Sequence, residues 1–268
     1  MYRAFYQLKK PVNRKDIPIE QLYMCEGFNE AFSRLEFMKD KGGFAIVSGS
    51  SGVGKTTILR YFVEKLDPKF YKIAYTPLST LSPRDFYRQI AMLLCGDAPY
   101  SKTQLFHSIQ QTIIQLATGE KKIPIIIFDD AHFFKTENFF ELQLLSNFNY
   151  DSLSPALFIL IGQPHLIDRL RKPAFDAFYQ RIKMHIPLLP LSFEQTQSFI
   201  DHIISDCTGK RFDSNPLFDQ PAVELIYKLS DGIYRKVINI LEKALVYGAG
   251  NKHQVIDREI IYKISHEI

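Results

Sequence analysis

Two registers of apolar residues divide the chain. Between residues 41 and 190, short runs dense in Ile, Val, Leu and Phe alternate with stretches in which apolar residues recur every three or four positions. The first pattern reads as buried strand and the second as helix. Lys41–Ser48 is a turn leading into a short apolar run, and Thr57–Leu66 has helical spacing. Tyr71–Pro77, Ile123–Phe128 and Ala156–Gln163 supply further strands. Such alternation predicts right-handed crossovers and an α/β fold, a parallel sheet sandwiched by helices. From Ser192 onward only helical spacing remains, over Phe193–Ile204, Pro221–Leu229, Ile233–Tyr247 and Ile256–Ile264. Three parts are therefore expected: an N-terminal segment at 1–41 leading into the core, an α/β core at 42–190, and a small all-α lid domain at 191–268.

The junction between the first strand and its helix carries chemistry. Gly49, Ser50, Ser51, Gly52, Val53, Gly54, Lys55 and Thr56, followed by Thr57, match G-x-x-x-x-G-K-[ST] in the strand-to-helix setting that the motif requires. The glycines let backbone N–H groups turn toward phosphates, and the helix N-terminus adds positive dipole at the same point. Lys55 is expected to reach the β and γ phosphates, and the Thr56 hydroxyl to hold Mg²⁺. A nucleoside triphosphate, ATP with Mg²⁺, is the expected ligand.

A second signal is the buried strand Ile123–Phe128, which ends in Asp129 and Asp130 with His132 close behind. Asp129 can complete the Mg²⁺ shell, while the following acid polarises the attacking water. That acid is usually a glutamate; an aspartate sets its carboxylate about 1.5 Å back, a shift of the size that can cost 10²-fold in rate. Slow hydrolysis and a long-lived ATP state are expected. His132 reads first as a packing or hydrogen-bonding residue. Gln163 ends its strand at the carboxyl edge, where it can sense the γ-phosphate or orient water, or else cap the turn before Pro164. Asp231-Gly232-Ile233-Tyr234-Arg235 starts a helix from which Arg235 could swing onto phosphates of the same subunit.

Composition narrows the setting. With 46% hydrophobic and 23% charged residues the chain is an ordinary globular one. No apolar run approaches the roughly 20 residues that span a bilayer. The first ten residues lack the apolar core of a signal peptide, so a cytoplasmic protein without membrane contact is expected. Cys25, Cys95 and Cys207 form no C-x-x-C pair and suggest neither disulfides nor zinc. The net charge of +4 permits a nucleic-acid partner without demanding one. Arg3, Lys9, Lys10, Arg14 and Lys15 form one basic cluster, and Arg169, Arg171, Lys172, Arg181 and Lys183 another. Either is a solvated surface or a phosphate-backbone contact. Arg84 and Arg88, on a helix starting near Pro83, could touch DNA phosphates or pair with Asp85.

Taken together, the phosphate loop, the acidic strand end, Gln163, Gln180-Arg181-Ile182 and Asp231-Gly232-x-x-Arg235 resemble the AAA+ superfamily. The opening Met-Tyr-x-x-Phe-Tyr-x-Leu-Lys, Gly162-Gln-Pro-His-Leu166 and Leu189-Pro-Leu-Ser192 look like the ATPases related to general secretion pathway protein A. The resemblance spans essentially the whole chain. It implies Gln163 as first sensor, Arg181 as an arginine finger toward a neighbouring subunit, and Arg235 as second sensor. Self-association into rings or filaments follows from a finger supplied in trans. Asp130 in place of Glu and His165 in place of the common acid depart from the family pattern. Because neither a membrane segment nor a wall-binding region follows the ATPase part, the chain is similar to the stand-alone DNA-transposition ATPases of the Mu B, Tn7 target-selection and IstB kinds. That likeness implies sequence-nonspecific double-stranded DNA and a transposase as partners. A secretion or envelope-assembly ATPase acting on proteins is the alternative.

Overall fold

The computed structural model describes residues 2–209 and 217–265; Met1 of the opening block, and residues 210–216 and 266–268 of the expected lid, lie outside the described residues. In chain order the elements are α1 (Tyr2–Phe5), α2 (Glu26–Lys39), β1 (Gly43–Ser48), α3 (Lys55–Lys65), β2 (Tyr71–Thr76), α4 (Pro83–Leu94), α5 (Lys102–Ile114) and β3 (Ile123–Phe128). They continue with α6 (Thr136–Leu145), β4 (Leu157–Gly162), α7 (His165–Leu170), α8 (Asp176–Tyr179), β5 (Ile182–Pro187), α9 (Phe193–Thr208), α10 (Gln220–Ser230), α11 (Tyr234–Gly250) and α12 (Arg258–Ser265). The described residues form two compact units. One groups those of Met1–Glu26, Gly52–Gly54 and Leu189–Ile268; the other groups Gly27–Ser51 and Lys55–Leu188.

The second unit is built on a five-stranded sheet of order β2-β3-β4-β1-β5, parallel throughout. Its three central strands, β3, β4 and β1, are apolar at nearly every position because both faces are covered, as an all-parallel sheet requires, while the edge strands β2 and β5 are only partly buried. Successive residues alternate between two cores. Phe44, Ile46, Ile126, Phe128, Phe158 and Leu160 face a core shared with α4 to α8. Ala45, Val47, Ile125, Ile127, Leu157, Ile159 and Ile161 face one shared with α2 and α3. Aromatic rings stiffen the first: Phe44 stacks on Phe158 at 5.0 Å between centroids, and Phe86 on Phe128 at 5.3 Å. Such pairs add about 0.5–1.5 kcal/mol each to the burial of their surface.

The predicted strands and the helical C-terminal region are present, with shifted ends. α3 begins at Lys55, inside the phosphate-loop motif, two residues before the expected start. α9 runs beyond Ile204 to Thr208 and stops at Gly209, which takes the left-handed C-cap conformation. The stretch after Ser192 is not purely helical: Phe218 and Ile256 form one parallel bridge, with the Ile256 N–H donating to the Leu217 carbonyl at 2.7 Å. Helices α2 and α5 carry only narrow apolar stripes, Ala31, Leu35 and Met38 in one and Leu105, Ile109 and Ile113 in the other, which made them faint in the sequence.

In the first unit, Tyr6, Leu8 and Val12 pack into the core of α9 to α12, among them Ile200, Ile204, Leu241 and Ile261. Polar contacts reinforce this. The Lys9 N–H donates to the Cys207 carbonyl at 2.7 Å, Lys10 Nζ pairs with Asp206 at 2.9 Å, and Arg14 pairs with the other carboxylate oxygen of Asp206. Asp206 is only 19% exposed and serves two cations, so its loss leaves both uncompensated. Asp206→Ala is expected to lower stability by about 2 kcal/mol, below the range for fully buried pairs because the pairs are partly solvated. Asp206→Asn, which keeps the shape, should lose less; urea unfolding of the three proteins checks the order.

Candidate active site

β4 lies between β1 and β3, and all three run the same way, so the residues after Ser48, Phe128 and Gly162 leave the sheet at one edge. There the polar groups anticipated from sequence gather: the loop from Gly49 after β1, Asp129 and Asp130 after β3, and Gln163 after β4. This carboxyl edge is where open α/β sheets bind ligands.

The loop is anchored at its start, where the Gly49 N–H donates to the Gly162 carbonyl at 3.2 Å. Gly52 and Gly54 take φ of +84° and +96°, in the left-handed region that other residues avoid. Nothing lies within 4 Å of the point where a Cβ on Gly54 would stand. Helix α3 opens directly on Lys55, so its first amides have no acceptors within the helix. Val53 is buried; Ser51 and Thr56 are exposed, while Ser50, Lys55 and Thr57 are half-buried. Lys55 Nζ donates to the Gly49 and Ser50 carbonyls at 2.8 and 2.9 Å, which holds the ammonium over the loop. A glycine-rich loop, a helix N-terminus and one ammonium are what a triphosphate needs, so the residues fit a nucleoside triphosphate. The exposed Thr56 hydroxyl and the Asp129 carboxylate would hold Mg²⁺.

Asp129 is fixed from three sides. Its N–H donates to the Thr76 carbonyl at 3.1 Å, its Oδ1 accepts from the Asp130 N–H at 2.9 Å, and its Oδ2 accepts from Tyr75 Oη at 2.8 Å. Burial and the two adjacent carboxylates push the Tyr75 hydroxyl's pKa up, so it remains a donor. Tyr75 escaped the sequence reading; the available signal was its place one residue from the end of the strand that pairs with β3. Asp130 adopts φ +49°, which an aspartate tolerates, and this reverses the chain into the short 3₁₀ turn Ala131–Phe133. Its side chain is exposed, whereas the His132 side chain is only 2% exposed. Burial lowers the His132 pKa, aided by His165 and Lys55 and opposed by Asp130 and Asp129, and favours the neutral ring. Gln163 Nε2 lies 3.4 Å from His132 Nε2, so its amide faces the site; the backbone carbonyl of Gln163, not its side chain, closes the following turn onto the Leu166 N–H.

Arg181 is elsewhere. It precedes β5, and Ile182 pairs with Phe44 near the start of β1, which puts Arg181 at the amino edge, a strand length of roughly 17 Å from Gly49 at about 3.3 Å per residue. Its guanidinium pairs with Asp151. Within the first unit Arg235 is the second residue of α11, and its N–H donates to the Gly52 carbonyl at 3.2 Å. Also unforeseen is a bond from the end of β1 to β5, Ser48 Oγ to His185 Nε2 at 2.7 Å.

Arg84 does not pair with Asp85: it stacks on Tyr100 at 4.1 Å and donates to the Tyr100 carbonyl, while Asp85 accepts from Ser82. Arg88 is exposed.

Because Tyr75 orients a residue that would ligate the metal, Tyr75→Phe is expected to weaken Mg²⁺-dependent ATP binding by about tenfold. Metal-free nucleotide binding should be unchanged; titration of a fluorescent ATP analogue with and without Mg²⁺ separates the two.

Residues 38–170 match the AAA domain family. The chain is 30% identical over 271 residues to general secretion pathway protein A of Aeromonas hydrophila, a match covering 97% of this chain and 47% of that protein. The chain therefore spans about half the length of that curated relative. Among solved structures it is similar to Cdc6p of Pyrobaculum aerophilum, with a TM-score of 0.71 at 15% identity, covering 96% of this chain and 70% of that one. The Aeropyrum pernix ORC1 protein, solved in complex with DNA, has a TM-score of 0.64 at 15% identity, with coverage of 94% and 68%. The Thermotoga maritima RuvB branch migration motor reaches 0.57 at 17% identity, with coverage of 91% and 69%. By this match and this fold, the chain is an AAA+ P-loop ATPase, similar along nearly its whole length to general secretion pathway protein A.

Proposed function

We propose that the chain is an ATP-switched assembly factor of the general secretion pathway A type, in which bound ATP favours self-association and assembly in turn permits hydrolysis. The observation that carries this reading is the position of Arg181, at the sheet edge remote from its own phosphate loop. A residue so placed acts on nucleotide only in a neighbouring subunit. Gly49 to Thr57 bind the phosphates through backbone amides, Lys55 adds charge, and Thr56 and Asp129 hold Mg²⁺. When bound, the metal neutralises charge developing on the phosphates. Asp130 accepts the proton side of the attacking water, Gln163 orients it, and Arg235 senses the nucleotide from the first unit. We place this activity in the cytoplasm; among the described residues no helix is long and apolar enough to cross a membrane.

The second reading, a transposition ATPase that polymerises on double-stranded DNA and activates a transposase, came from the resemblance to the stand-alone transposition ATPases, with the two basic clusters as its expected DNA contacts. Half of those residues hold the following partners within the chain: Lys10 and Arg14 with Asp206, Arg181 with Asp151, Lys183 with Ser154, and Arg169 with the Phe134 carbonyl and Thr136. Less basic surface is thereby left for a phosphate backbone, and the protein-directed reading is the better supported. A gel shift with duplex DNA, ATP and low salt distinguishes them: no ATP-dependent shift is expected, and a salt-sensitive one would favour the transposition reading.

Turnover per subunit should rise with protein concentration. Arg181→Ala should cut it by about 10³-fold, the scale of an arginine finger, without weakening binding of an ATP analogue. Asp130→Glu should raise turnover by up to about 10²-fold as the carboxylate regains its reach. Steady-state phosphate release checks both, and an unchanged rate in Asp130→Glu removes the explanation for slow hydrolysis.

A further inference from the structure

One buried polar atom at the sheet edge has no hydrogen-bond partner, the Nδ1 of His132. Its nearest acid is Asp130, with Oδ1 at 3.8 Å, beyond hydrogen-bonding reach. The other ring nitrogen, Nε2, lies 3.4 Å from the Gln163 amide nitrogen. The imidazole thus stands between the acid and the amide that the functional reading above assigns to the attacking water. Its position is built by the local backbone. The left-handed Asp130 folds the 3₁₀ turn back against the end of β4, where a Cβ on Gly162 would stand 3.3 Å from the His132 backbone nitrogen. Phe133, tilted at 4.0 Å, and His165, perpendicular at 5.1 Å, both measured between ring centroids, pack against the ring.

Proton placement follows from the donors. An amide nitrogen only donates, so Nε2 must accept and the ring proton sits on Nδ1. Turning the Gln163 amide over would move that proton to Nε2 and aim the bare lone pair of Nδ1 at a carboxylate, which is repulsive. The favoured ring is neutral, with an N–H pointed at Asp130 and a short gap to close. A buried donor left without an acceptor costs free energy, and the cost is relieved when the exposed Asp130 side chain moves in.

We propose that His132 is a positioning residue that ties Asp130 to Gln163, donating from Nδ1 to Asp130 Oδ1 while Nε2 accepts from Gln163. One carboxylate oxygen is then held and the other is presented to water in a fixed direction. The arrangement couples the two groups, so that a displacement of Gln163 is felt at Asp130. This inference rests on the site reading given above, and goes beyond it in assigning His132.

Two measurements test it. In the nucleotide-free wild type, ¹⁵N–¹H correlation spectra of the imidazole should show a neutral ring protonated on Nδ1; a ring protonated on Nε2 overturns the proposal without recourse to any variant. In the second, His132→Ala should lower kcat by about 10- to 100-fold, the range for groups that orient a catalytic residue, with KM and analogue binding unchanged. The amide nitrogen of Asn stands where Nδ1 does and that of Gln where Nε2 does. His132→Asn should therefore recover most of the rate and His132→Gln little of it. Equal rates for the three variants, or no loss in His132→Ala, overturn the assignment. Asp130→Asn and Gln163→Ala mark the other failure: if neither slows turnover, the site reading itself is wrong, whereas losses there with none in His132→Ala reject only the role of His132.

Discussion

Parallel pairing of β4 with β1 on one side and β3 on the other is the constraint from which the site follows. Backbone hydrogen bonds across these ladders fix Ser48 opposite Gly162 and Phe128 opposite Leu160, so three chain segments leave the sheet side by side. None of the polar groups at this edge needs to find its neighbours. The Gly49 N–H meets the Gly162 carbonyl as an extension of the β1–β4 ladder, and the Asp129 N–H meets the Thr76 carbonyl as an extension of the β2–β3 ladder. Two tightly packed cores hold the strands flat against their helices and make that edge rigid, which is what catalysis by preorganised groups requires.

Much of this was legible in the sequence, for reasons that differ by residue. The phosphate loop is legible because its function needs glycines, a lysine and a hydroxyl at fixed spacing between a strand and a helix. Asp129, Asp130 and Gln163 are legible because each ends a run of buried apolar residues. Tyr75 and the tie between His132 and Gln163 were not. They depend on which strand pairs with which, and on a left-handed aspartate, and neither leaves a periodic mark. The ion pairs of the basic clusters were hidden for a related reason. Charge was counted along the chain, while the partners that absorb it, Asp206 and Asp151, are distant in sequence from most of it.

The solved structures with this fold at 15–17% identity include Cdc6p, an ORC1 protein in complex with DNA and a branch migration motor, so the architecture itself does not select a partner. What the architecture supplies is a nucleotide edge and, on the far edge of the sheet, an arginine unable to reach it. Under the proposed reading, separation of these two features within one chain would give the nucleotide its value as a signal: the information that ATP is bound would become usable only where two chains meet.

The sharing of one core by the two ends of the chain has a further consequence. Tyr6, Leu8 and Val12 fill space among α9 to α12 that no residue of those helices fills. A fragment cut at Leu189, however complete it looks as a run of helices, would carry an apolar groove open to water, and its exposed surface would drive it into aggregates. Translation order matters for the same reason: Tyr6, Leu8 and Val12 leave the ribosome well before α9 to α12 and must wait, unfolded or provisionally packed, until those native partners exist.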